Sequence, residues 1–192
     1  SLHDALPISG KSAVLKALAL MDAVVFDADG CVKKLLAGDA AVHGALRKRW
    51  GAEVFGEDEK PDHKKIAEIV FRDTRELDFL EELLHPLVRK ACVGAMQQRP
   101  KNKLFAAEIP LLFEKGFDKE FEHTLCVWTD GDLQLKRLKG RGVGSEEAAR
   151  RMARQWPLDK KVAAAEFVLV NDGDEEFLKN QLQVLRHRLY SF

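Results

Sequence analysis

Along the chain, uninterrupted apolar runs alternate with stretches in which apolar residues recur at helical spacing. Four runs are short, continuous and bounded by turn residues, the pattern of strands covered on both faces. Residues 23–26 (Ala-Val-Val-Phe) lead into Asp27-Ala28-Asp29, and 104–109 follow a polar turn at 100–103. Residues 123–128 precede Thr129-Asp130-Gly131, and 167–170 (Phe-Val-Leu-Val) run into Asn171-Asp172-Gly173. Helical patterns cover 12–20, 40–50, 61–71, 74–98, 132–139, 145–155 and 174–190. Pro61 stands at a first helical position, Ser145-Glu146-Glu147 reads as an N-cap followed by acids, and Pro86 predicts a kink or split within 74–98. Strands alternating with helices predict an α/β fold, a parallel sheet with helices on both faces. The block from about 30 to 100 is nearly all helical and is expected to cap the carboxyl edge of the sheet, where such folds bind ligands.

Composition narrows the choice of function. A chain of 192 residues fits one domain able to bury a core. Its 31 basic and 31 acidic side chains balance, which argues against coating nucleic acid or a membrane surface but leaves a small anionic ligand open. No apolar run approaches the ~20 residues of a membrane helix, and no basic segment followed by an apolar stretch marks a secretory leader. Cys31, Cys92 and Cys126 lie far apart, match no metal spacing and read as small buried apolar residues in a reducing compartment. A cytoplasmic monomer with neither nucleic acid nor membrane as partner is the expectation.

Three constellations carry candidate chemistry. Gly10-Lys11-Ser12 opens a helical stretch. In a phosphate-binding loop, backbone N–H groups and the helix amino terminus cradle phosphates, the lysine neutralises them and the hydroxyl holds Mg²⁺. The full loop has a glycine five residues before Gly10, where this chain has Ala5; a plain helix start is the alternative. Asp27 and Asp29 follow the first apolar run. On an extended chain they share a face, and a carboxylate there can take a proton from an attacking hydroxyl, or the pair can cap a helix beginning near Gly30. Arg137 and Arg141 lie four apart beside Gly140 and Gly142, which suits a lid closing on phosphates as well as a solvated basic face.

Val25-Phe26-Asp27-Ala28-Asp29, Leu84-His85-Pro86-Leu87-Val88-Arg89, Ile109-Pro110-Leu111-Leu112-Phe113-Glu114, Leu135-Lys136-Arg137-Leu138 with Arg141, Gln155, and Val170-Asn171-Asp172-Gly173 together resemble dephospho-CoA kinase, in order and spacing, over nearly the whole chain. The resemblance implies a P-loop kinase with a five-stranded parallel sheet, in which the first, central strand is missing or replaced here, and a helical substrate cap and lid. It implies one domain over 1–192: a core of about 10–29, 101–137 and 158–192, a substrate region of about 30–100 and a lid of about 138–157. ATP would donate its γ-phosphoryl group to the ribose 3′-hydroxyl of dephospho-CoA, the last step of coenzyme A synthesis. Asp29 would be the base, with Lys11 and Arg141 also catalytic. Ile8, Ser9, Gly10, Lys11, Ser12, Ala13, Arg137, Arg141 and Asn171 would hold ATP, and Ser12, with Glu108 through water, would hold Mg²⁺. Asp29, Lys33, His63, His85, Pro110 and Leu111 would face dephospho-CoA. His85 and Glu108 also read as core or strand-end residues, and Glu114 as purely structural.

Lys33 and His63 stand where the family carries arginine, and lysine loses the bidentate geometry of that group. Another small P-loop kinase and a non-catalytic nucleotide- or CoA-binding domain are the competing readings. Residues 1–9 (Ser-Leu-His-Asp-Ala-Leu-Pro-Ile-Ser) do not form the apolar strand and glycine-rich loop with which the family begins. Ser1 to Ile8 equal the translation of a common short-read sequencing adapter, with Ser9 at the junction. The segment is therefore expected to be non-native; genomic DNA encoding these nine residues would contradict that. A missing central strand would forfeit burial comparable to a domain's whole net stability, which predicts weak folding or activity for the chain as written.

Overall fold

The computed structural model describes residues 10–131, 133 and 155–190. They form an α/β protein whose elements follow the apolar pattern: α1 (Lys11–Leu20), β1 (Val24–Asp27), α2 (Ala28–Gly38), α3 (Ala40–Trp50), α4 (His63–Arg72), α5 (Thr74–Gln98), β2 (Phe105–Glu108), β3 (Leu125–Trp128), α6 (Leu158–Ala164), β4 (Phe167–Val170) and α7 (Glu175–Tyr190), with a 3₁₀ turn at Phe117–Glu120. The expected helices at 132–139 and 145–155 fall almost wholly outside the described residues. The chain divides into two compact units, one spanning Phe26–Gln98 and the other combining the segment up to Val25 with residues from Arg99 onward.

The first unit is helical, and its helices start where short acidic side chains can cap them. Asp27 accepts from the Asp29 N–H to open α2, Asp39 from the Val42 N–H to open α3, and Asp62 from the Lys64 and Lys65 N–H groups to open α4. Each satisfies donors that have no partner within their own helix. Buried residues recur every four positions: Ala28, Val32 and Leu36 on α2, Val42, Leu46 and Trp50 on α3, and Leu80, Leu84, Val88 and Cys92 on α5. One buried stripe per helix is what packing against neighbours requires. Glu76 ties α3 to α5, accepting from Arg49 at 2.9 and 2.7 Å and from Trp50 Nε1 at 2.7 Å.

Three expectations change here. Asp29 lies in the first turn of α2 rather than on extended chain, so it and Asp27 do not share a strand face; Asp27 takes the capping role instead. The helix expected from Pro61 begins at His63, because Pro61 is held in an antiparallel bridge to Phe55 and Asp62 supplies the cap. Helix α5 runs through His85-Pro86 without a split. Pro86 is exposed, as is Glu82, whose carbonyl would have paired with the N–H that proline lacks, so water can take that place.

In the second unit β3 and β4 are parallel, in register from Leu125 opposite Phe167 to Trp128 opposite Val170. Among the described residues, β1 and β2 form a separate two-stranded sheet; the Val24 N–H bonds to Leu104 O at 2.8 Å. Gln181 of α7 donates to Val170 O and accepts from the Val170 N–H, so a side chain occupies the ladder positions of β4. Val14 and Leu18 of α1 join Val127, Leu169, Leu178, Leu182 and Leu185 in one apolar cluster, against which Leu104, Ala106, Leu125 and Phe167 pack. No helix among the described residues is long and apolar enough to cross a membrane.

Candidate active site

Parallel pairing places the carboxyl ends of β3 and β4 side by side, and the amino end of α1 meets them. Gly10 caps α1 with φ +85° and ψ +23°, a left-handed conformation natural to glycine. A Cβ there would run into the side-chain amide of Asn171, 3.1 Å from its Cγ. Asn171, directly after β4, is buried, and so is Thr129, directly after β3. The Asp130 N–H donates to Asp172 Oδ1 at 2.9 Å, linking the two strand-end loops.

Lys11, Ser12 and Ala13 form the first turn of α1, where the helix dipole favours an anion; the Ala13 N–H already donates to Gly10 O at 3.0 Å. Ser12 Oγ donates to Glu108 Oε1 at 3.3 Å, and Glu108 is the last residue of β2. A hydroxyl beside a carboxylate is an all-oxygen pair suited to Mg²⁺, which keeps several waters and takes few protein ligands. Among the described residues no group of three or more His, Cys, Asp or Glu side chains could hold a metal. Burial pushes the Cys126 thiol up, while the nearby positive charges of Lys161 and Lys11 act against that rise.

The remaining candidates in this unit are Pro110 and Leu111, in the turn after β2; Leu111 has φ +56°. In the helical unit, Asp29 is half-buried in the first turn of α2 and Lys33 is exposed one turn further on. His63 is exposed at the start of α4, and His85 is half-buried within α5. Ile8, Ser9, Arg137 and Arg141 lie outside the described residues.

One feature went unread in the sequence, and one read there as structural has partners that the sequence did not announce. Thr129 is a buried polar residue at the end of β3; the resemblance of Thr129-Asp130-Gly131 to Asn171-Asp172-Gly173 was the available signal. Glu114, whose side chain is 9% exposed, accepts from the Trp156 N–H at 2.7 Å and pairs with Lys161 Nζ at 3.1 Å. No local pattern announces partners 42 residues distant.

The sequence profile of the dephospho-CoA kinase family matches residues 8–176. Similar proteins include the dephospho-CoA kinase of Chlorobaculum tepidum, 36% identical over 91% of this chain and 87% of its own. That of Synechococcus sp. is 36% identical over 92% and 90%. Among solved structures, TT1252 from Thermus thermophilus superposes with a TM-score of 0.78 at 30% identity, covering 95% of this chain and 93% of its own. The dephospho-CoA kinase from Campylobacter jejuni superposes with a TM-score of 0.68 at 25% identity, over 93% and 91%.

Proposed function

The chain belongs to the dephospho-CoA kinase family, and from that premise we propose that it transfers the γ-phosphoryl group of ATP to the ribose 3′-hydroxyl of dephospho-CoA, giving CoA and ADP in coenzyme A biosynthesis. The observation that carries this reading is the family match across residues 8–176, joined to a glycine-capped helix whose Ser12 faces Glu108.

Phosphoryl transfer asks the protein mainly for positioning and charge neutralisation. Lys11 and the α1 amino terminus take the phosphates of ATP, and Asn171 holds the Gly10 turn beside the nucleotide. Asp29 accepts the proton of the 3′-hydroxyl as the new O–P bond forms and the bond from Pγ to the β-phosphate oxygen breaks; ADP leaves. The Asp27 cap on the Asp29 N–H fixes the turn that presents this base. Arg141, with Arg137, neutralises charge on the transferring group. Lys33, His63, His85, Pro110 and Leu111 contact dephospho-CoA. Mg²⁺, held by Ser12 directly and by Glu108 through water, supplies neutralisation of the phosphate charge when bound.

The finer architecture belongs to the same proposal: β1–β2 and β3–β4 are parts of a five-stranded parallel P-loop sheet, which the apolar cluster shared by residues of both pairs supports. Turnover of a panel of acceptors with ATP, including dephospho-CoA, nucleoside monophosphates and pantothenate derivatives, tests the substrate. The expected result is a kcat/KM for dephospho-CoA at least about a hundredfold above any nucleotide, as a site that pairs with a specific acceptor requires. Preference for a nucleotide would overturn it.

A further inference from the structure

The turn after β2 holds Leu111 at φ +56°, a conformation that disfavours a bulky residue with a Cβ and persists only where its surroundings over-determine it. The local hydrogen bonds are short-range: the Lys115 N–H to Leu111 O at 3.0 Å, the Gly116 N–H to Phe113 O at 3.1 Å and the Phe117 N–H to Leu112 O at 2.9 Å. Such bonds close a turn without anchoring it. The anchor is Glu114. Its Oε1 accepts from the Trp156 N–H at 2.7 Å and pairs with Lys161 Nζ at 3.1 Å, and Lys161 also donates to Gln155 Oε1 at 3.0 Å. The neighbouring Phe113 ring stacks on Trp156, with centroids 6.1 Å apart and planes 8° apart, and Lys160 Nζ lies 3.6 Å from the centre of that indole. Charge-assisted hydrogen bonds at a largely buried carboxylate are among the stronger single contacts a turn can have.

We propose that Glu114 is a positioning residue: by fastening the turn after β2 to the segment 155–161, it holds Leu111 in its left-handed conformation and so presents Pro110 and Leu111 to dephospho-CoA. This rests on the substrate assignment above. Glu114 does not touch the reacting atoms. Its effect passes through the backbone at Leu111, which separates this role from general support of the fold. A support role would predict loss of stability alone.

The test compares E114A, E114Q and L111N, singly and as E114A/L111N, in the full chain. Asparagine adopts the left-handed conformation more readily than leucine, so the turn needs its anchor less. For E114A we expect the KM for dephospho-CoA to rise about tenfold or more, as small misplacements of positioning groups do, with the KM for ATP within about twofold. E114Q keeps the acceptor for the Trp156 N–H and loses only charge, so it falls between wild type and E114A. In the L111N background the E114A factor should shrink to about threefold. An equal factor in both backgrounds, or a lower Tm with unchanged KM, overturns the inference. Hydrogen exchange at Lys115, Gly116 and Phe117 gives a reading without turnover. Faster exchange there in E114A, with β3 and β4 unaffected, supports the anchor, and unchanged exchange overturns it. Wild-type chain that ignores dephospho-CoA would refute the substrate assignment instead, and exchange would then decide the anchor by itself.

Discussion

Ser12 Oγ donates to Glu108 Oε1 at 3.3 Å, joining the first turn of α1 to the end of β2 across 96 residues of sequence. A hydroxyl expected to hold Mg²⁺ directly and an acid expected to hold it through water thus sit at hydrogen-bond distance from one another. In this account E108Q raises the Mg²⁺ concentration needed for half-maximal turnover by about 10–100-fold, the usual effect of losing an outer partner of a metal, and S12A raises it at least as far. Titration of Mg²⁺ at saturating ATP reads both. Unchanged Mg²⁺ dependence in E108Q would remove Glu108 from the site.

Asp29 is proposed as the base for the 3′-hydroxyl. D29N keeps the size of the side chain and the backbone N–H that Asp27 accepts, so the Tm should stay within a few degrees. Loss of a general base costs about 10²–10⁴-fold in rate, and the loss should appear in kcat, with the KM for ATP little changed. Full turnover by D29N would reject the assignment.

The amide of Asn171 fills the space that a Cβ on the left-handed Gly10 would need. G10A therefore meets two penalties: a backbone cost of about 1–2 kcal/mol for a left-handed residue with a Cβ, and a collision with Asn171. The expected outcome is a lower Tm and weaker ATP binding by calorimetry. Pairing G10A with N171G removes the collision but not the backbone cost, so recovery should be partial. A double variant no better than G10A would show that Asn171 does not confine this turn.

Acid should loosen the helical unit. Hydrogen bonds from the Arg75 side chain and backbone hold the Asp73 carboxyl down at about 2, and the Arg49 guanidinium, with Trp50, holds Glu76 below its usual value. A carboxyl depressed in the folded state contributes stability above its unfolded pKa and loses it as pH falls through the folded one. The Tm should be level from neutral pH to about 5, the upper edge of the ordinary carboxyl range, then fall toward pH 2. E76Q should lower the neutral-pH Tm and flatten part of that fall. Asp73 is at the surface, where ion pairs are weak, so its share should be the smaller. A Tm falling equally in E76Q and wild type would place the acid-sensitive groups elsewhere.

How much could be read beforehand depended on how local the cause was. The Phe167–Val170 and Ala40–Trp50 boundaries matched the expectation, because an apolar run between turn residues and apolar residues at helical spacing are local signals. Pro86 does not split its helix because proline's cost depends on which face it occupies, and here it is exposed. Pro61 misled because a tertiary bridge to Phe55 claimed it first. At the site, Gly10, Lys11 and Ser12 were legible as a motif, but the contacts of Gly10 with Asn171 and of Ser12 with Glu108 exist only once the strands are assembled. Leu111 carries no signal for its left-handed backbone, since leucine is a residue that avoids it.

The most direct test of the central claim is the product of the purified chain given ATP, Mg²⁺ and dephospho-CoA, identified by mass and by ³¹P NMR. The expected result is one CoA carrying a 3′-phosphate for each ADP formed. ADP release that dephospho-CoA does not accelerate, with no 3′-phosphorylated product, would contradict it.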